Sequence, residues 1–376
     1  MRRKTRSIAL AGILGFVANL AAAQDIVIGQ VAPLSGVLAD TGKDMVLGVK
    51  IYFEHINAQG GILGRKIVHI VKDDSYKTDE TVKLTKELIE QHRPVALFGY
   101  AGTGNIGELL KQQVLANANI ALVAPYTGGE PLRHPFNPNI FHIRAGYSDE
   151  TAAMVEQLVG SGMTRVAVFY QDDPFGKAGL NGVEAALKKH ELEVVARGTY
   201  EKNTDSVEQA VETIGKADPQ AVIMIAVNKP SAAFIKRFRA SGGSALLFSI
   251  SVVNARELTR LVGAEIVRGT GISQVMPYPF RTVLPVVKEY QELMKRYAPN
   301  AEISYTSLEE FIGAKVLVEG LRRAGPNPTR ESVMKALESL RSYDAGGFTV
   351  SFAPNNRIGS RFVDITVVSK DGKPVH

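Results

Sequence analysis

The feature that most constrains the fold is an alternation that runs through the chain twice. Residues 25–32 are rich in β-branched side chains (Ile26, Val27, Ile28, Val31), the composition of a strand. After a turn at 33–36, the stretch 43–58 carries Val46, Val49, Phe53 and Ile56. Steps of three and four residues put these on one face of a helix, and Gly60 and Gly61 stop it. The pattern continues with strands at 66–71, 94–98 and 119–124, helices at 79–92 and 103–116, and a short strand at 141–144. A second series begins near Thr151, with strands at 165–170, 193–198, 220–226 and 246–250 and helices at 176–190, 205–216, 231–241 and 255–261. An extended segment at 269–275, helices at 284–297, 307–324 and 330–340, and hairpin strands within 347–368 complete the reading. Strand alternating with helix gives parallel βαβ units. The fold class is therefore α/β, with two doubly wound halves that meet near residue 145.

The segment before the first strand is of another kind. Arg2, Arg3, Lys4 and Arg6 precede a nearly continuous apolar run over 8–20, and Ala21-Ala22-Ala23 offers a small-residue cleavage site. These are the parts of a secretory signal peptide, here 1–23 with cleavage after Ala23. Export changes the charge argument. The full chain carries 44 Lys and Arg against 38 Asp and Glu. Removing 1–23 takes away four basic residues and no acids, which leaves 40 against 38 and a charge of +2. That balance gives no footprint for nucleic acid. The chain has no cysteine, so disulfides, thiolate metal sites and cysteine nucleophiles are excluded. A soluble protein outside the cytoplasmic membrane is expected.

Gly102-Thr-Gly-Asn-Ile-Gly107 matches G-x-G-x-x-G between a strand-like and a helix-like run, the fingerprint of dinucleotide-binding Rossmann domains. In those domains the motif sits on the first strand–helix turn, and an acid about twenty residues on binds the ribose. Here it sits on the third turn, and Tyr126-Thr-Gly128 stands where the acid is needed. No cofactor is expected. The glycines serve either a tight turn alone or a ligand brought close to a helix N-terminus, where unpaired N–H groups suit a carboxylate as well as a phosphate. The loop 125–129 follows the next strand, at the same carboxyl edge of the sheet where such folds bind ligands.

With these loops placed, the run Val27-Ile-Gly-Gln-Val-Ala-Pro-Leu-Ser-Gly36 resembles the first strand and ligand loop of type I periplasmic solute-binding proteins. Ile56-Asn-Ala-Gln-Gly-Gly-Ile-Leu-Gly-Arg-Lys66 resembles a stretch common in their branched-chain amino-acid (Leu/Ile/Val) group, and Asp73-Asp74 and Tyr305-Thr-Ser-Leu-Glu-Glu-Phe311 fit as well. The resemblance runs from Asp25 to about Val368. It implies two Rossmann-like lobes joined by a three-crossover hinge, with lobe one at 25–145 plus 275–345 and lobe two at 146–274 plus 346–376. It further implies a periplasmic location, a small organic solute held in the cleft by hinge closure, an ABC permease in the inner membrane as partner, and a monomer. A ligand-sensing protein of the same fold that signals to a membrane receptor is the alternative.

By the same resemblance, the loop with Thr41 contacts the solute's side chain. Ala101, Gly102 and Thr103 match the strip that holds a carboxylate, with Tyr126, Thr127 and Gly128 beside it. In lobe two, Phe175 matches an aromatic wall, Asn228 a position that is often Tyr, and Ser251 the neighbourhood where amino-acid binders place an acid for the ammonium. Here 248–253 contains no acid, and a buried ammonium without one is costly. A carboxylate without an amine fits better, with Glu309 and Glu310 the remaining acids if they turn to the cleft. The family's frequent disulfide near this cleft is impossible without cysteine.

Other chemistry finds little support. The seven histidines show no metal-ligand spacing. No G-x-S-x-G elbow occurs, and Ser332-x-x-Lys335 lies in a helix without the motifs that accompany it in β-lactam enzymes. Asp172-Asp173 reads as a solvated loop and helix start, or as a lining of the cleft, and Arg144 as a hinge ion pair or a surface residue. No catalytic residue and no metal site is expected, which sets aside a secreted α/β enzyme.

Overall fold

The computed structural model describes residues 24–376. The expected signal peptide and its cleavage after Ala23 lie outside the described residues. In chain order the first series is β1 (Ile26–Ala32), α1 (Ala39–Ala58), β2 (Ile67–Asp73), α2 (Thr78–Glu87), β3 (Ala96–Phe98), α3 (Thr103–Lys111), α4 (Val114–Asn117), β4 (Ala121–Val123) and β5 (Ile140–Phe141). The second is α5 (Tyr147–Gly160), β6 (Val166–Gln171), α6 (Pro174–Lys188), β7 (Ala196–Tyr200), α7 (Glu208–Lys216), β8 (Ala221–Ile225), α8 (Asn228–Ala240), β9 (Leu246–Ser249), α9 (Ala255–Val262), α10 (Ala264–Val267) and β10 (Gly271–Gln274). Then come α11 (Pro285–Tyr297), α12 (Tyr305–Ala324), α13 (Arg330–Glu338), a hairpin of β11 (Tyr343–Asp344) and β12 (Thr349–Val350), and β13 (Asp364–Val368) and β14 (Pro374–Val375).

The strands form two main sheets. The first is parallel, in the order β2-β1-β3-β4-β5. The second runs β14-β13-β10-β9-β8-β6-β7, parallel from β10 to β7 and closed at its other side by antiparallel β13 and β14. Read from its own first strand, β6, the second sheet repeats the order of the first. Each sheet therefore reverses direction beside its first strand, and the loops at that carboxyl edge form the crevice where open α/β sheets bind ligands.

Alternation along the strands explains why both faces of each sheet are covered. Phe98, Val123 and Phe141 enter one core with α1, α11, α12 and α13, while Leu97, Leu122 and Ile140 enter another with α2, α3 and α4. In the second sheet Val168 and Ile223 meet α5 and α6, and Phe169 and Met224 meet α7, α8 and α9. The late helices thus return to the first sheet. The chain passes from the first sheet to the second after β5, back after β10 and over again before β13, three passages in all.

Several elements depart from the expectations. The segment 346–352, expected in lobe two, packs in the first core: Phe348, Val350 and Phe352 are buried there, with Phe352 edge-on to Phe141 at 5.2 Å. The helix α5 was not expected before Thr151; its apolar residues Tyr147, Met154, Val155 and Leu158 keep helical spacing from its first residue. The expected helix 103–116 is broken by the left-handed backbone of Gln113. Thr41 lies within the first turn of α1 rather than in a loop, because a 3-10 turn at Gly36–Leu38 runs straight into that helix.

Candidate functional site

The glycine loop builds one wall of the interlobe cleft. Gly102 caps α3 with φ +94°, a conformation that L side chains rarely adopt. A Cβ there would stand 2.7 Å from Asn105 Oδ1 and 2.8 Å from the Tyr76 ring. Glycine thus lets the backbone approach Tyr76 at the start of α3, where the first amides of a helix have no intrahelical partners. Thr103, the first residue of α3, shares a 2.6 Å hydroxyl–hydroxyl hydrogen bond with Thr127, whose Oγ1 also accepts from the Gly129 amide at 3.1 Å. Both threonines are buried. Two hydroxyls that share one hydrogen bond keep one O–H for a further acceptor. Ala101 bridges to Tyr126 as neighbouring strands do, and Gly128 is pressed against Tyr147, where a Cβ would meet the ring at 2.6 Å.

Behind this wall is a small, mostly apolar cavity of about 20 Å³. Leu38, Tyr76, Ala101, Gly102 and Tyr126 reach it from the first lobe, Tyr147 from the crossover, and Phe175, Val227 and Val252 from the second lobe. Tyr147 and Phe175 meet edge to face at 5.5 Å. Burial raises the phenols of Tyr76, Tyr126 and Tyr147 above their ordinary range, so the cage stays neutral. None of the residues lining it is an acid.

The lobes touch around this cavity. Gln171 Nε2 donates to the Tyr76 hydroxyl at 3.3 Å, and the Tyr200 hydroxyl donates to Gln171 Oε1 at 2.9 Å. Lys202 lies 4.1 Å above the Tyr76 ring and donates to Asn105 Oδ1 at 2.5 Å. Asn228 Nδ2 donates to Thr41 Oγ1 at 3.2 Å. Arg260 pairs with Asp40 at 2.9 Å and Arg256 with Glu302 at 2.7 Å. The described arrangement is closed.

Of the residues expected at the site, Ala101, Gly102, Tyr126 and Phe175 line the aromatic cavity, and Thr103, Thr127 and Gly128 stand directly behind them. Thr41 and Asn228 line a second, more polar cavity beside it. Ser251 is differently engaged: its hydroxyl binds the Arg144 guanidinium and donates to Glu150 Oε1 at 3.0 Å. Arg144 is fully buried and paired with Glu150 at 3.1 Å and Glu309 at 3.3 Å. Glu150 also accepts from the Ser251 amide and the Ser273 hydroxyl. Arg144 therefore ties the crossover to both lobes, 5.2 Å from the Tyr126 ring. Burial works against its charge, and Glu309 and Glu150 outweigh that and hold its pKa up.

Glu309 and Glu310 are buried on α12 rather than lining either interlobe cavity. Burial lifts the Glu309 carboxyl to about 7 and that of Glu310 well above its ordinary value. Asp173 caps α6 by accepting from the amides of Phe175 and Gly176, and Asp172 makes an exposed pair with Lys177. Ser332 serves the cap of α13 through Thr329. Among the described residues, no group of three or more His, Asp or Glu could hold a metal ion, and no helix is long and apolar enough to cross a membrane.

Sequence reasoning missed Leu38, Tyr76, Tyr147, Val227 and Val252. Their only local signal was position, each within a few residues of a loop already placed at the carboxyl edge.

The comparisons agree with this architecture. A family model described as periplasmic binding protein matches residues 25–373. A crystal structure of a substrate-binding periplasmic protein from Ralstonia solanacearum is 39% identical, covers 93% of this chain and 99% of that one, and superposes with a TM-score of 0.90. A possible leucine/isoleucine/valine-binding protein from Rhodopirellula baltica is 27% identical over 96% of this chain and 98% of that one, also at 0.90. Leu/Ile/Val-binding protein homolog 7 of Brucella melitensis is 23% identical, covering 95% of this chain and 92% of its own. These relatives are binding proteins rather than enzymes. With two lobes of one strand order, a closed cleft at their carboxyl edges and a family match along nearly the whole described chain, the protein belongs to the periplasmic binding protein family and has its type I fold.

Proposed function

We propose that the protein captures a small organic carboxylate without an α-ammonium group and presents it, lobes closed, to an ABC permease for import. One observation carries this reading. The cavity is lined by aromatic and apolar residues at the start of α3 and by no acid, with the Thr103–Thr127 hydroxyl pair directly behind it, and the acid that reaches Ser251 is already neutralised by Arg144. A carboxylate finds donors at Thr103, and an apolar body finds Tyr126, Tyr147 and Phe175. An α-ammonium would be buried without a counter-charge. Closure is supported by the hydrogen bonds and ion pairs that join the lobes around the cavity.

Thr103→Val tests the site. It keeps the shape and removes the hydroxyl, and a hydrogen bond to a charged group contributes about 1.5–3 kcal/mol. Titration calorimetry should show hexanoate or phenylacetate bound about tenfold or more weakly by the variant, with the thermal transition of the free protein nearly unchanged. Equal affinity would remove Thr103 from the site.

A further inference from the structure

The second cavity lies against the first and is much larger, about 470 Å³. The wall between them is thin. Thr306, which lines the larger cavity, shares a 3.0 Å hydroxyl hydrogen bond with Tyr126, which lines the smaller. Thr41 and Asn228 complete that wall through their bond across the lobes. Leu38 and Val227, on the aromatic side, precede them by three residues and by one.

The larger cavity is charged, and its charges do not balance. Arg256 is paired with Glu302, and Arg260 with both Asp40 and Glu257. Lys43 stands at the rim, 65% exposed and 3.8 Å from Asp40. Asp44 has no cation within ion-pair distance among the described residues. Three cations thus face four acids around one cavity, and Asp44 is the acid left over. It is half-buried on α1, one turn after Thr41. Burial pushes its carboxyl up to about 6, against the pull of the nearby Ser304 hydroxyl, and a partly desolvated acid of this kind gains by meeting a cation.

We propose that Asp44 recognises a positively charged group at the far end of the solute, so that the preferred class is the ω-amino carboxylates. The inference rests on the carboxylate reading above and refines it. The carboxylate sits at Thr103 and Thr127, the body leaves the small cage for the larger cavity as the Thr41–Asn228 hydrogen bond gives way, and the terminal ammonium reaches Asp44 there. An α-amino acid cannot make this pair, because its ammonium is held next to its carboxylate, where no lining residue is an acid.

The test is titration calorimetry of a series of straight-chain ω-amino acids against their parent alkanoates, with leucine as control, on the wild type and on Asp44→Asn. Asp44 is cleft-facing and the amide is isosteric, so the variant should fold as the wild type does. The expected result is that an amine of the right length binds about tenfold or more tightly than its parent acid, as a charge-assisted hydrogen bond provides. In Asp44→Asn that advantage should disappear, with the parent acid bound as before. Parent acids bound as tightly as their amines by the wild type would overturn the proposal and leave the carboxylate reading standing, provided Thr103→Val weakens them. So would equal weakening of both series in Asp44→Asn, which would place Asp44 in lobe closure rather than recognition. Binding of leucine with no response to either series would overturn both.

Discussion

Glu310 shows how far a residue's surroundings can depart from its type. It is fully buried beside Glu309, and neither of its carboxylate oxygens has a hydrogen-bond partner. Burial first, then the neighbouring Glu309, raises its pKa well above the ordinary value. The sign of the resulting pH dependence follows directly. Between an unfolded-state pKa of about 4.3 and the raised folded value, the folded chain holds a proton that the unfolded chain has released. Stability therefore falls with rising pH through that window. Glu310→Gln carries no such proton. In thermal unfolding, the stability of the variant relative to wild type should increase from pH 5 to pH 8. A difference that stays constant across this range would show that Glu310 ionises normally in the fold. The comparison between variant and wild type cancels the opposite contribution of buried histidines such as His69, which burial holds neutral.

Among the elements, α1 and α12 carry the first lobe, and their closeness depends on one glycine. A Cβ at Gly48 would stand 2.1 Å from the Ser307 carbonyl oxygen. Gly48→Ala should force the helices apart and destabilise the protein by about 1–3 kcal/mol, the usual cost of overpacking, read as a lower urea midpoint. An unchanged midpoint would mean that the helices are not held at this distance. The same pair shows what could be read in the sequence and what could not. Strands and most helices were legible because their periodicities are local: Ile26–Val31 and the steps from Val46 to Ile56 announce themselves. The orientation of Glu309 and Glu310 was not legible. From the sequence these two acids were candidates to turn to the cleft, yet every residue of α12 from Thr306 to Ala314 is buried because α1, α13 and the first sheet surround it. The glycine loop was legible through its mismatch with the ribose acid. The aromatic cage was only half legible, since Tyr76 comes from a turn of the first lobe that meets Phe175 and Tyr147 only when the two lobes are together.

For the molecule as a whole, the second lobe's core runs without a break through the cleft. Leu38, Met45, Tyr76, Ala101 and Tyr126 of the first lobe belong to one apolar cluster with Val168, Ile223 and Phe248 of the second. Closing the lobes buries apolar surface, and ion pairs at the rim of the cleft, such as Arg260–Asp40, set the register of the two halves. In the proposed function, a solute that matches the cavity strengthens this closed form by binding it in preference to an open one. The central claim is about which solutes do so: carboxylates, and not α-amino acids. The direct measurement is a thermal-shift screen of residues 24–376 against pairs matched in side chain, each amino acid beside the acid that lacks its α-amine. A ligand at about a hundred times its dissociation constant adds about 2.7 kcal/mol of stability. The account predicts that acids, such as 4-methylpentanoate and 3-phenylpropanoate, raise the transition while leucine and phenylalanine leave it in place. A rise with leucine or valine and none with the matching acids would contradict it, and would mean that the Arg144–Glu150 pair opens to receive an ammonium.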